Sequence, residues 1–332
     1  MMFSIEKWLR LAKYAGVLGI TALLLLTACT TVKTDSENPV STEPVVQIKQ
    51  EALRTKEVFD HDKYKNQLTI RYFDLKSKED TGDSILIETP DGKTMLIDAG
   101  IPEVGPQIVQ YLDDLGIGKI DYAVNTHPHA DHIGGFATLL QSKDISTMIM
   151  ENLPYDSNAY RNTVQALHQK KLKVEYLEDG DTFQLGSDVK VEVLNPPPGA
   201  LPAAVKNFSF AEVNNQAMVL KITYKENTFL FTGDIYKDRE YKLVDSHAQA
   251  LKADMMHVPH HGNTTSSSPA FVKAVSPQIA IISSNILQSL DVVKRYEKNG
   301  VKVYVTGLHG NILITSDGKE LNVITEKDWS SK

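Results

Sequence analysis

Asn125-Thr126-His127-Pro128-His129-Ala130-Asp131-His132-Ile133-Gly134-Gly135 places three histidines and one carboxylate within six consecutive positions. The apolar run Tyr122-Ala123-Val124 precedes it and a glycine pair closes it, a pattern that reads as strand, ligand-bearing turn and helix start. Side chains two and five residues apart in one turn can converge on a point. Neutral imidazole together with carboxylate suits zinc, manganese or iron.

Working back from the turn, residues 68–73 and 84–88 alternate as strands, and Pro90-Asp91-Gly92 marks a hairpin into the apolar strand Met95-Leu96-Ile97. That strand ends on Asp98. A carboxylate at the end of a buried strand has to be paired or hydrogen-bonded, so Asp98 is a candidate to orient the histidine turn from behind. Helical spacing over residues 107–115, stopped by Gly116, leads to a strand at 119–124 that delivers the turn. Gly134-Gly135 let the backbone bend ahead of a helix starting at Phe136.

Forward from the turn, a surface helix is expected over 158–171, a strand over 173–177, a hairpin across 180–186 and a strand over 189–194. Pro196-Pro197-Pro198 then opens a long loop, residues 199–212, of the kind that shapes substrate access. Asn214-Asn215 precede a strand at 218–224, and the strand at 229–231 ends in Thr232-Gly233-Asp234, where the glycine allows close approach of backbone and metal. The strand at 254–258 runs into Pro259-His260-His261-Gly262-Asn263-Thr264-Thr265, followed by three serines. This hydroxyl-rich run from Thr264 is a candidate contact for anionic oxygens, and equally a helix N-cap. Strands at 278–283, 301–305, 312–315 and 321–324 and a helix at 291–298 close the domain. His309, in Gly307-Leu308-His309-Gly310, sits in a tight turn between strands and is a candidate to face the site.

The N-terminal part follows different rules. Residues 1–28 have a positive start (Lys7, Arg10, Lys13) and an apolar run of residues 15–26 too short for an ordinary spanning helix, which marks a targeting segment. Leu26-Thr27-Ala28-Cys29 resembles a bacterial lipoprotein signal, implying cleavage before Cys29, the only cysteine in the chain, and a lipid on its sulfur. Residues 29–65 read as the lipidated cysteine and a polar tether, with a short helix at 46–58, and residues 66–328 as one α/β domain. The expected location is extracytoplasmic, on a bacterial membrane. The whole chain carries −7, and without the leader, whose Glu6, Lys7, Arg10 and Lys13 sum to +2, it carries −9. An acidic chain is not steered toward nucleic acid by its overall field.

His127-x-His129-x-Asp131-His132, with Asp98-x-Gly100 at a strand end, is similar to the signature of the metallo-β-lactamase superfamily. The resemblance implies an αββα four-layer sandwich of two mixed β-sheets flanked by helices. It implies that His127 and His129 hold one metal, Asp131 and His132 a second, that Asp234 bridges them, and that His260 is the last ligand, with His261 supporting it or reaching the substrate. The order Asp-x-Gly, His-x-His-x-Asp-His, Asn-Asn, Thr-Gly-Asp, Pro-His-His-Gly further resembles the extracellular hydrolase domain of ComEC-type competence proteins and stand-alone relatives, over residues 67–325. Three departures stand out. A polar insertion separates Asp74-Leu75 from Gly82-Asp83, Asn214-Asn215 occupy the neighbourhood of a common third histidine, and Asn285-Ile286-Leu287-Gln288 replace a segment that often holds histidine.

The expectation is therefore a metal-dependent hydrolase with a dinuclear centre, zinc first and manganese or iron next, that lowers the pKa of a bound water to supply hydroxide, with Asp131 able to shuttle a proton. A phosphodiester, nucleic acid or an envelope phosphoester, is the first substrate class by resemblance. Lactone, lactam or thioester hydrolysis, and a non-catalytic envelope binding module that has lost one metal site, are the alternatives.

Overall fold

The computed structural model describes residues 43–199 and 208–331, so Cys29 and the leader lie outside the described residues. The first half of the domain supplies β1 (Leu68–Tyr72), β2 (Ile85–Glu88), β3 (Thr94–Ile97), β4 (Lys119–Asn125), β5 (Asp144–Met150) and β6 (Lys173–Tyr176). The second half supplies β7 (Thr182–Leu185), β8 (Val189–Asn195), β9 (Val219–Tyr224), β10 (Asn227–Phe231), β11 (Met255–His257), β12 (Ile279–Ile282) and β13 (Lys302–Val305). A last hairpin, β14 (Ile312–Ser316) and β15 (Leu321–Thr325), crosses back to the first half. One sheet runs β15-β14-β1-β2-β3-β4-β5-β6 and the other β13-β12-β11-β10-β9-β8-β7. Both are mixed: β3 to β6 and β10 to β13 pair in parallel, the remaining neighbours antiparallel.

The period-two alternation of the strands explains the layers. In β2 and β3, Ile85, Ile87, Met95 and Ile97 turn inward and meet Val191, Val193, Leu220, Ile222, Phe229 and Phe231 of the second sheet. Their alternates Leu86 and Leu96 turn outward, into the layer formed with the helices Gly105–Asp114, Phe136–Ser142 and Asn158–Lys170. The outer face of the second sheet is covered in the same way by Lys237–His247, Pro269–Val275 and Leu290–Glu297. Burial on both faces is why these strands read as apolar runs. The αββα sandwich is present, and no helix among the described residues is long and apolar enough to cross a membrane.

The short helix expected over residues 46–58 is present and begins three residues earlier. Glu43–Val58 is a helix, and the segment that follows it is anchored by buried Val58 and Tyr64, which pack on Leu313. Arg71, buried in β1, donates from Nε to the Val58 carbonyl at 2.9 Å and from Nη1 to Glu88. Composition alone marks residues 43–65 as polar, whereas a buried cation in the domain gives their last turns a partner.

The carboxyl ends of β3, β4, β5, β10, β11 and β12 open at one end of the sandwich, the usual place for chemistry in α/β folds. Gly82 lies there with φ +70°, its Cα against the Asp131 backbone, where any side chain would collide.

Candidate metal centre

Asp98, at the end of β3, is buried and holds a left-handed φ of +57°, unusual for a residue with a side chain. Its carboxylate accepts from the Thr126 backbone N–H and Thr126 Oγ1, both at 2.7 Å, and faces His132 Nδ1 at 2.8 Å. Thr126 Oγ1 in turn lies 3.1 Å from His127 Nδ1. One carboxylate thus orients His132 directly and His127 through a hydroxyl, leaving the Nε2 atom of each ring aimed into the pocket.

Asp234 follows β10 and Gly233. Its Oδ2 lies 3.3 Å from His132 Nε2, 3.5 Å from His261 Nε2, 3.8 Å from His127 Nε2 and 3.9 Å from His260 Nε2. Asp131 Oδ2 is 3.6 Å from His132 Nε2 and 3.4 Å from His261 Nε2. Asp131, His132, Asp234 and His261 form a group whose donor atoms all lie within 4.8 Å of one another. His127 Nε2 and His129 Nδ1, 3.0 Å apart, adjoin it.

Several of these atoms are buried without a hydrogen bond: Asp234 Oδ1 and the Nε2 atoms of His129, His132 and His261. Asn214, fully buried beside His129 and Tyr236, makes no side-chain hydrogen bond of ordinary geometry either. Lone pairs left unmatched in the interior are costly, and a divalent cation would satisfy them together. Imidazole and carboxylate donors without sulfur fit zinc, manganese or iron.

Electrostatics divide the pocket. Burial opposes the charge on His132, but Asp234, Asp131 and Asp98 outweigh it and raise the imidazole well above its ordinary value. His261 is raised in the same way, against burial, by Asp234 and Asp83. Asp234 is correspondingly held well below the carboxylate range, and Asp131 is lowered, because the imidazoles overcome the burial cost. Burial pushes His127 well down, with His132 and His129 adding to it, and pushes His129 down to about 4.

The sequence expectations meet this geometry unevenly. His127, His129, Asp131, His132 and Asp234 come together. His261 joins the donor group through Nε2, and His260 borders it, its Nε2 3.9 Å from Asp234 Oδ2 while its Nδ1 faces Thr265 Oγ1 at 2.6 Å and its ring faces Tyr236. Both residues have left-handed φ, 51° and 52°, so this backbone twist swings two adjacent side chains into different surroundings, which no sequence pattern ranks.

Asn214 faces the pocket, but Asn215 braces the fold, its Oδ1 accepting the Tyr236 N–H at 2.9 Å. Thr264 is exposed, its carbonyl accepting from Lys237, while Ser266, Ser267 and Ser268 are buried in support of the loop, Ser268 capping the helix Pro269–Val275. His309 is a brace too: its Nδ1 accepts the Val305 N–H at 2.9 Å and its ring packs on Tyr304 and Trp329. The long loop yields a one-turn helix, Phe210–Asn214, closed by a Ser209–Glu212 capping box, and residues 200–207 lie outside the described residues.

Three residues escape the sequence reading as site components. Asp83 is buried, 3.1 Å from His257 Nε2 and 3.3 Å from His261 Nδ1, whose other neighbour is the Ser283 carbonyl at 2.9 Å. It flanks His261 without a hydrogen bond of the ordinary geometry that ties Asp98 to His132. The signal was Gly82-Asp83 itself, displaced by the insertion. His257 comes from the inward face of β11. Glu151, just after β5, is fully buried with neither oxygen hydrogen-bonded, and burial raises it well above 4.5.

A family model described as the metallo-beta-lactamase superfamily matches residues 78–284. Over 210 residues the chain is 25% identical to ComE operon protein 3 of Bacillus subtilis (strain 168), covering 62% of this chain and 26% of that protein. It is 27% identical over 235 residues to Competence protein ComA of Neisseria gonorrhoeae, covering 69% and 30%. The chain thus spans about a quarter to a third of the curated relatives it matches. Among solved structures, CmlA, a diiron beta-hydroxylase from Streptomyces venezuelae, superposes with a TM-score of 0.50 at 13% identity, over 76% of this chain and 54% of that one, a likeness of fold alone.

Proposed function

The chain belongs to the metallo-beta-lactamase superfamily, and from that premise we propose that it is a hydrolase of phosphodiesters working with two divalent ions, zinc first, manganese or iron next. The observation that carries this reading is Asp234 Oδ2 within 3.3–3.8 Å of the Nε2 atoms of His132, His261 and His127, which come from two different loops. Asp131, His132, Asp234 and His261 would hold one ion, and His127 and His129, sharing Asp234, the other. When bound, such ions supply Lewis acidity and an activated water.

The chain's own residues do the rest. Asp98 fixes the ring of His132, and the Ser283 carbonyl, with Asp83 beside it, fixes that of His261. Asp131, the most exposed carboxylate of the group at 27%, is placed to pass a proton at the pocket mouth. The similarity to competence proteins supports a phosphodiester, nucleic acid or an envelope phosphoester. The net charge of −7 instead favours a second reading, a small lactone, lactam or thioester. The Leu26-Thr27-Ala28-Cys29 sequence supports a lipid on Cys29 and a place outside the cytoplasmic membrane.

The test uses the full chain, purified in detergent without chelator: metal by elemental analysis and hydrolysis of bis(p-nitrophenyl) phosphate, beside Asp234→Ala. About two ions per chain, and a loss of about 10³-fold or more in the variant, are expected. Two ions without phosphodiester cleavage move the substrate to acyl esters. No ion retained, even with added zinc or manganese, overturns the enzyme and leaves a binding module.

A further inference from the structure

Phe210 is 57% exposed, yet its ring is not loose. The capping box fixes its one-turn helix, and the ring lies parallel to the His129 imidazole, with centroids 3.8 Å apart and planes 10° apart. Tyr155, from the loop after β5, meets His129 edge-on at 5.5 Å, and Tyr236, after β10, lies 4.8 Å from His260. Three aromatic rings from three separate loops therefore rim the donor group. Phe210 has one face on a pocket histidine and presents the other to solvent. The nearby cations are engaged elsewhere: Lys237 Nζ donates to the Thr264 carbonyl and Arg239 Nε to the Asn215 carbonyl. What this rim offers a substrate is π surface more than positive charge.

We propose that Phe210, with Tyr155 beside it, is a stacking platform that selects phosphodiesters whose retained ester group, the one not released, carries a planar nucleobase. The inference rests on the phosphodiester reading above. A base on one exposed aromatic face is held without sequence-specific hydrogen bonds and without a basic groove, which suits an acidic chain.

The experiment compares two substrates that release the same 4-nitrophenolate, thymidine 5′-(4-nitrophenyl) phosphate and methyl 4-nitrophenyl phosphate. It uses the full metal-loaded protein and its Phe210→Leu and Phe210→Trp variants, with metal content measured in each. The wild type prefers the thymidine ester. Phe210→Leu loses about tenfold in kcat/KM on it, chiefly through KM, changes less than about twofold on the methyl ester, and keeps its metal. Phe210→Trp retains the preference. Equal losses on both esters, or loss of metal in both variants, overturn the platform and leave Phe210 as packing on His129; so does no change on either ester. If the wild type cleaves neither ester, the phosphodiester reading falls by itself, and the platform is judged by equilibrium binding of thymidine 5′-monophosphate against methyl phosphate. Tighter binding of the nucleotide, lost in Phe210→Leu, supports it, and equal binding overturns it.

Discussion

At one end of the pocket His132 and His261 lie among carboxylates and keep their protons well above the usual imidazole range; at the other, His127 and His129 are pushed below it. All four rings are buried, with at most 3% of their surface exposed. Burial alone therefore does not decide their state. Asp234, Asp131, Asp98 and Asp83 gather around the first pair, whereas the nearest carboxylate to His127 Nε2 is 3.8 Å away and Asn214, an uncharged amide, closes that end. Carboxylates outweigh burial at the first end and burial outweighs them at the second, so a cation taken up at the first end would have to displace protons from His132 and His261.

The strongest way to break this division is to remove one of the two adjacent histidines of the second loop. His261→Ala takes a ring from the carboxylate-rich end and is expected to cost about 10²–10³-fold in turnover together with one bound ion, while His260→Ala costs less than about fivefold. Elemental analysis and kinetics on both variants decide it, and equal losses would erase the distinction between the rings.

A pH series sharpens the same contrast. Metal uptake at the carboxylate-rich end displaces protons from imidazoles whose affinity for them is raised, so apparent affinity there falls as pH falls, by about tenfold per pH unit for each proton displaced. At the other end His129, near 4, imposes no such slope between pH 5 and 8. Calorimetric zinc titrations in buffers of different ionisation enthalpy count the protons released, and identical pH slopes for both ions would contradict the division.

The smallest effect extends the lesson to an acid. Glu151 is buried without a histidine partner, and its carboxyl is raised well above 4.5. The folded chain keeps that proton while the unfolded chain releases it near 4.5, so stability is full below this value and is lost as pH rises toward the folded value. Glu151→Gln should flatten this dependence and raise Tm at neutral pH, by about 2–4 °C per kcal/mol recovered. Thermal melts from pH 4 to pH 8 measure it, and parallel curves for both proteins would show that Glu151 carries no such penalty.

The histidine turn was legible because its donors are contiguous and sit between a strand and a glycine pair, so local pattern sufficed. Asp98 was legible for a physical reason, a charge at the end of an apolar strand. Asp83 and His257 were not, because their meeting depends on two sheets closing face to face. The alternation Met148-Ile149-Met150 belongs to β5 and the helix Lys237–His247 follows Asp234, yet neither stood out, the first abutting the helix Phe136–Ser142 and the second being mostly polar. His309 shows the converse: a histidine in a Gly-flanked turn looks chemical, but its ring nitrogen is taken by the Val305 backbone.

Arg71 also decides where this protein can be trimmed. A soluble version begun near residue 60, inside the stretch that composition reads as tether, would delete Val58 and strip a buried guanidinium of its carbonyl acceptor, a charged hydrogen bond worth about 1.5–3 kcal/mol. It would also uncover Leu313. For crystallisation or assay the cut belongs upstream of Glu43, and a shorter version that precipitates would report on the trimming, not on the metal site.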